Sequence, residues 1–269
     1  TKSIKVTLTG ENYWSIDQEV RKIFDVNPDV KYIFRCLDYN MVLKNKTDYN
    51  YDNVPTYLYD DNPFNDVQYI FNKDVLLDDT LEVIKYNLQG GKSTDMDTYS
   101  EWGSLYPSGR KAVLSNYRIP QKKAEVQKEF SEKDAQNVRK NVEENVLDMV
   151  KAHPDTTFYF YTPPYSVVWW YARQCSGNLL RYFEAEKLQA EMLLKYDNVK
   201  LYSFADMFDL TQNLDNYKDD KHYNAEISEK IIDWIYEGTG LITKENYEER
   251  INKMEDFYLN QVSESSFSE

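Results

Sequence analysis

An α/β fold on a mostly parallel sheet is predicted by three observations. Short apolar runs rich in β-branched or aromatic residues recur along the chain: "IKVTL" at 4–8, "VKYIFRCL" at 30–37, "TTFYFYT" at 156–162 and "VKLYSF" at 199–204. Segments with apolar residues at helical spacing follow these runs. Strands that alternate with helices need crossover connections, and such connections set neighbouring strands parallel. The expected architecture is therefore a doubly wound sheet flanked by helices.

Each element has its own signal. In "TGENYWSIDQEVRKIFDVNP", Ile16, Val20, Ile23 and Phe24 fall on one helical face, and Pro28 ends the helix. "SEKDAQNVRKNVEENVLDMVKAHP" (131–154) starts with a capping box, Ser131 with Asp134, and carries the stripe Val138, Val142, Val146, Met149. Further helices are predicted over 178–196, 225–238 and 244–262. The interval 42–130 breaks the rhythm. It is rich in Tyr, Asn and Asp and is expected to be an insertion, a lid or cap on one domain spanning 1–262. The tail "SESSFSE" (263–269) is expected to fray.

Composition excludes several functions. The 269 residues are 41% hydrophobic and 15% aromatic, enough for a sizeable core, so the chain does not read as disordered. A net charge of −14 repels a phosphate backbone and anionic lipid, which argues against nucleic acid as a partner. Two cysteines, Cys36 and Cys175, make neither a disulfide scaffold nor a zinc site and are read as unpaired thiols. The acid pairs at 60–61, 78–79 and 219–220 lack the spacing of a calcium loop, so no metal is expected. No run is apolar enough to span a membrane. His153, in "KAHPD", suits a helix C-terminus and is given no chemistry.

The stretch with chemistry in it is "NYKDDKHYN" (216–224). Asp219 and His222, three residues apart on a loop, can face one another. The carboxylate then accepts from one ring nitrogen and leaves the other as a base. The competing reading makes Asp219, Asp220 and Asn224 rivals for the cap of the next helix, with His222 solvated.

In this place, the last loop before the C-terminal helices, D-x-x-H resembles the final block of the SGNH (GDSL-type) hydrolases. The resemblance implies a flavodoxin-like three-layer fold, with Asp219 orienting His222 and His222 activating a serine. Other pieces fit it. Gly10 in "VTLTGENY" stands where that family's glycine block donates to the oxyanion. Asn40 in "FRCLDYN" stands where its asparagine block does, although G-x-N-D itself is not present. The ordinary reading of both is a turn residue. "TPPYS" (162–166) and "NLDNY" (213–217) are similar to the cell-surface branch of the family, which includes alginate-type O-acetyltransferases and the protein used in D-alanylation of teichoic acid. The resemblance covers most of the chain outside 42–130.

The family's nucleophile lies in a G-[DTS]-S block ahead of the glycine block, and the 269 residues have no room for it. Ser15, Ser104, Ser108, Ser166 and Ser176 lack the strand–turn–helix setting of an activated serine. In a doubly wound sheet the first strand lies inside, so its loss would leave inner edges unpaired. The serine block is therefore expected to lie outside this chain, which alone should be inactive or nearly so.

Two functions compete. One is a serine esterase or O-acyltransferase acting on acyl groups of a cell-surface polysaccharide or cell-wall polymer. Tyr165 and Trp169 would then stack sugar rings, and no cofactor is needed. The other is a non-catalytic module that holds a glycan or a membrane acyltransferase partner. The resemblance places either one outside the cell or anchored at its surface.

Overall fold

The computed structural model describes residues 5–6, 12–44, 56–60, 62–91, 106–118, 120 and 123–268. The chain forms two compact units, one of Thr1–Lys46 with Gly103–Glu269 and one of Thr47–Trp102. In chain order the helices are α1 (Tyr13–Val26), α2 (Tyr39–Val42), α3 (Val67–Ile70), α4 (Thr80–Leu88), α5 (Arg110–Asn116), α6 (Glu132–Val142), α7 (Asp148–Ala152), α8 (Val167–Cys175), α9 (Leu179–Leu193), α10 (Phe208–Gln212), α11 (Ala225–Glu237), α12 (Tyr247–Asp256) and α13 (Ser265–Ser268). The strands are β1 (Tyr32–Cys36), β2 (Thr157–Thr162), β3 (Val199–Ser203) and β4 (Leu241–Ile242).

The sheet order is β1-β2-β3-β4. The first three strands are parallel, and β4 is antiparallel to β3. Strand alternation decides which side chains meet which layer. Ile33, Phe158, Phe160 and Leu201 point into one core with Phe24 of α1, Val138 and Val142 of α6 and Leu193 of α9. Tyr202 and the neighbouring Phe204 meet Ile227, Ile231 and Ile235 of α11 in another. Helices thus pack on both faces, and the chain is α/β with an open, mostly parallel sheet. A third core lies beyond the carboxyl end of β2. There Trp169 and Trp170 pack with Tyr39, Phe183, Tyr258 and Phe267.

Local signals placed several elements. Asn12 caps α1 by accepting from the Ser15 N–H at 2.9 Å, and α1 stops at Val26, ahead of Pro28. The Ser131–Asp134 capping box forms in both directions, at 3.2 and 3.0 Å. Asp134 also takes a two-pronged ion pair from Arg181 at 3.1 and 2.5 Å, tying α6 to α9. Ser131→Ala is expected to lower unfolding free energy by about 1 kcal/mol, read as a lower urea midpoint at unchanged slope. An unmoved midpoint would mean that Arg181 alone secures this end of α6.

The excursion 42–130 is wider than the separate unit. Val113 of α5 is fully buried in the third core, and the Ala124 and Lys128 N–H groups donate to the carbonyls of Cys175 and Gly177. The tail does not fray at Phe267, whose ring is fully buried and whose carbonyl accepts from Arg110 at 2.6 Å. An apolar ring in a Ser/Glu tail found a pocket that composition did not announce. The expected strand at 4–8 lies outside the described residues except for 5 and 6, which are irregular and exposed. Both cysteines are unpaired, and the His153 ring stacks on Phe24 at 3.6 Å between centroids.

The unit Thr47–Trp102 contains α3, a π-helical turn at Asp74–Asp79 and α4, none of which buries a residue. Phe64, Phe71 and Leu88 are exposed there.

Candidate functional site

The chain between α10 and α11 folds back on itself. Asn213 Oδ1 accepts from the Asp215 N–H at 3.1 Å and starts a 3₁₀ turn at Leu214–Asn216. Tyr217 and Tyr223 then pair as an antiparallel bridge, and the Lys218 N–H donates to the His222 carbonyl at 2.8 Å. Asp219, Asp220 and Lys221 form the tip of this narrow loop. Asn224 closes it as the cap of α11, its Oδ1 accepting from the Ile227 N–H at 3.0 Å. The helix cap thus falls to Asn224, which leaves the Asp219 carboxylate to its own loop.

Asp219 uses both oxygens. Oδ1 accepts from the Lys221 and His222 N–H groups at 3.0 and 2.8 Å, and Oδ2 lies 2.6 Å from His222 Nδ1. Burial pushes this carboxyl up. The bonds from the His222 ring and from the two backbone N–H groups outweigh it and hold the pKa down at about 2. Asp219 is then ionised near neutral pH and only accepts, so Nδ1 carries the shared proton. In the neutral ring Nε2 therefore holds a lone pair. The Asp219 and His222 side chains are 36% and 43% exposed. Burial and the adjacent Asp219 push Asp220 upward.

Two segments brace the loop. After β2, Pro164 accepts from the Tyr217 hydroxyl at 2.6 Å, and Ser166, fully buried, donates its N–H and its hydroxyl to the Asp220 carbonyl. From the other side the Gly109 N–H donates to the Tyr217 carbonyl at 2.7 Å and the Arg110 N–H to Asp215 Oδ1 at 3.0 Å. Gly109 has φ of 113°, a value that suits glycine. The loop follows β3, and its brace follows β2, so the pair belongs to the carboxyl edge of parallel strands, where open α/β sheets bind ligands.

Asn40, Tyr165 and Trp169 have hydrogen-bond or ring partners of their own among the described residues. Gly10 and Ser104 lie outside the described residues. Asn40 sits on α2; its N–H bonds Asp38 Oδ1 at 2.6 Å, and its side-chain oxygen accepts from Tyr182 at 3.5 Å. Tyr165 and Trp169 are 5% and 1% exposed, inside the third core, so neither offers an open face to a sugar. The Tyr165 hydroxyl donates to the Asp38 carboxylate, and burial with that carboxylate pushes Tyr165 well up.

Among the other serines, Ser15 is on α1, and Ser108 is exposed ahead of α5. Ser176 Oγ donates to the Arg173 carbonyl. Sequence reasoning missed Asp38 and the bracing role of Ser166. The signal for Asp38 was an aspartate just before a short helical piece, the usual N-cap pattern.

Among the described residues no group of three or more His, Cys, Asp or Glu side chains is placed to hold a metal ion. No described helix is long and apolar enough to cross a membrane. Comparisons with protein-family models, with curated proteins and with solved structures find no match to this chain.

Proposed function

We propose that Asp219 and His222 are the acid–base half of an SGNH-type serine esterase or O-acyltransferase acting on acyl groups of a cell-surface polysaccharide or cell-wall polymer. The observation that carries this reading is the 2.6 Å Asp219–His222 contact on a partly exposed loop past β3, with the helix cap assigned elsewhere. The three parallel strands standing side by side in chain order support it, since later strands of a flavodoxin-like sheet do the same.

In this reading a serine hydroxyl attacks the acyl carbonyl while its proton passes to His222 Nε2. His222⁺, stabilised by Asp219, then gives that proton to the leaving alcohol oxygen. Water repeats the cycle in hydrolysis, or an acceptor hydroxyl does so in transfer. Gly10 and the Asn40 amide are the oxyanion donors it calls for. The serine is the one expected in the block ahead of Gly10. A glycan-binding module gains no support from Tyr165 and Trp169, which are packed away.

The test is acetyl-ester turnover by the product of the complete natural reading frame. His222→Ala is expected to lower kcat by at least about 10³-fold, and Asp219→Asn by roughly 10²-fold or more. Turnover unchanged by His222→Ala would overturn the assignment.

A further inference from the structure

Arg173 is a cation that the loop chemistry leaves unused. It lies on α8, whose cap residue Ser166 donates its N–H and hydroxyl to the Asp220 carbonyl at 3.3 and 2.5 Å. The tip of the loop is thus held against the start of α8. Ser166 and Arg173 are seven residues apart, so they lie on one face of that helix. A long helical side chain leans toward the helix N-terminus, over the residue four places earlier. Arg173 does so: its guanidinium carbon is 4.8 Å from the centroid of the Trp169 ring. The lean carries the guanidinium back toward Ser166 and Asp220.

Three half-buried polar side chains come together here without partners. Arg173 makes no hydrogen bond and no ion pair among the described residues, and its Nε is closed off from solvent. The Tyr117 hydroxyl, just after α5, is enclosed and unbonded in the same way. Asp220 bonds Ser166 through its carbonyl, but its carboxylate has no hydrogen bond among the described residues. Each group acts on the others. Burial and Asp219 push Asp220 up, while Lys221, Arg173 and His222 oppose this. Burial, Cys175 and Asp220 push Tyr117 up, and Arg173 opposes them. Tyr117 therefore keeps its proton and can donate it.

The two charges select the ligand. Arg173 only donates, and the Asp220 carboxylate accepts. An ammonium group would satisfy Asp220 and be repelled by Arg173. A carboxylate or phosphate would satisfy Arg173 and be repelled by Asp220, and the net charge of −14 adds to that repulsion. An alcohol meets both, since one hydroxyl accepts from Arg173 or Tyr117 while it donates to Asp220.

We propose that Arg173, Tyr117 and Asp220 form a subsite for the hydroxyls of an uncharged sugar or polyol unit, set beside His222. It rests on the reading of Asp219 and His222 as an ester-processing pair, and it narrows the substrate to a polymer whose esterified unit is neutral.

The test is a titration of the ¹⁵N-labelled full chain, followed by NMR at the Arg173 Nε–H and at the backbone N–H groups of 219–222. The probes are methyl α-glucopyranoside, glycerol and the methyl glycoside of glucuronate. At least one neutral probe is expected to shift these signals saturably, with a dissociation constant on the order of 10 mM, and the glucuronate to bind about tenfold more weakly. Arg173→Met and Asp220→Asn should each weaken the neutral probe about tenfold, since each removes a hydrogen bond to a charged group. Asp220→Asn should also narrow the gap between neutral and anionic probes. Three results overturn the subsite: no saturable shift with either neutral probe, which leaves the cluster to water; unchanged affinity in the variants; or tighter binding of the glucuronate. If Arg173→Met does not fold, Tyr117→Phe takes its place, and unchanged affinity in it and in Asp220→Asn overturns the proposal. Binding is read without turnover. Sugar binding without ester turnover would sink the reaction assigned to the pair and leave the subsite, while turnover without sugar binding would do the reverse.

Discussion

Trp170→Ala is expected to lower unfolding free energy by about 3–5 kcal/mol, a large part of the roughly 5–15 kcal/mol that holds a domain together. The indole is fully buried. It stacks on Phe183 at 5.0 Å and on Tyr258 at 4.9 Å, and meets Tyr39 and Trp169 edge-on at 4.9 and 4.8 Å. These partners come from α2, α8, α9 and the turn after α12, so the hole would open where four elements meet and none can move in alone. Trp170→Phe is a useful companion. The Trp170 Nε1 has no partner among the described residues, so losing it removes an uncompensated polar group along with some packing. That variant should cost well under half as much. Urea midpoints of the two variants check both statements, and a loss below about 1.5 kcal/mol for Trp170→Ala would show that this core collapses readily.

Arg250→Met carries the second large effect, about 3 kcal/mol. Its guanidinium grips Asp206 at 2.8 and 2.5 Å and also donates to the carbonyls of Gly240, Leu241 and Ser203 at 2.8, 3.1 and 3.1 Å. One side chain thus fastens the end of β3, the start of β4 and the turn that leads toward the loop. Methionine keeps most of the stem but leaves Asp206, with its side chain 11% exposed, without its cation. The cost should change little with added salt, because screening is weak for groups this enclosed. A cycle with Asp206→Ala should give a double variant milder than the sum of the singles. Strict additivity would show that the carbonyl bonds, rather than the ion pair, carry the effect.

Periodicity and caps made three of the strands and the long helices legible. The Ser131–Asp134 box, the stop at Pro28 and the cap at Asn224 all rest on local chemistry that sequence displays directly. The helix at Val167–Cys175 was hidden because most of its positions are buried, so "VVWWYARQC" shows no polar face to set a period. β4 is two residues long, too short for any pattern. The Asp219–His222 contact was legible because both partners lie within one turn of chain. What braces it was not: Tyr217 with Pro164 and Ser166 with Asp220 join residues about fifty positions apart, and nothing in either segment names the other.

The strand order bears on how the chain assembles. Phe158 pairs with Val199, and Leu201 with Ile242, but Tyr32 pairs with Thr157, across about three times as much chain. Closing that long loop carries the larger entropy loss, and it precedes any return from β1's side chains. The stretch from β2 to β4 should therefore come together first and offer a ready edge, with β1 and α1 docking onto it late. Substitutions at Ile33 should then mainly quicken unfolding, while those at Phe160 should slow folding itself.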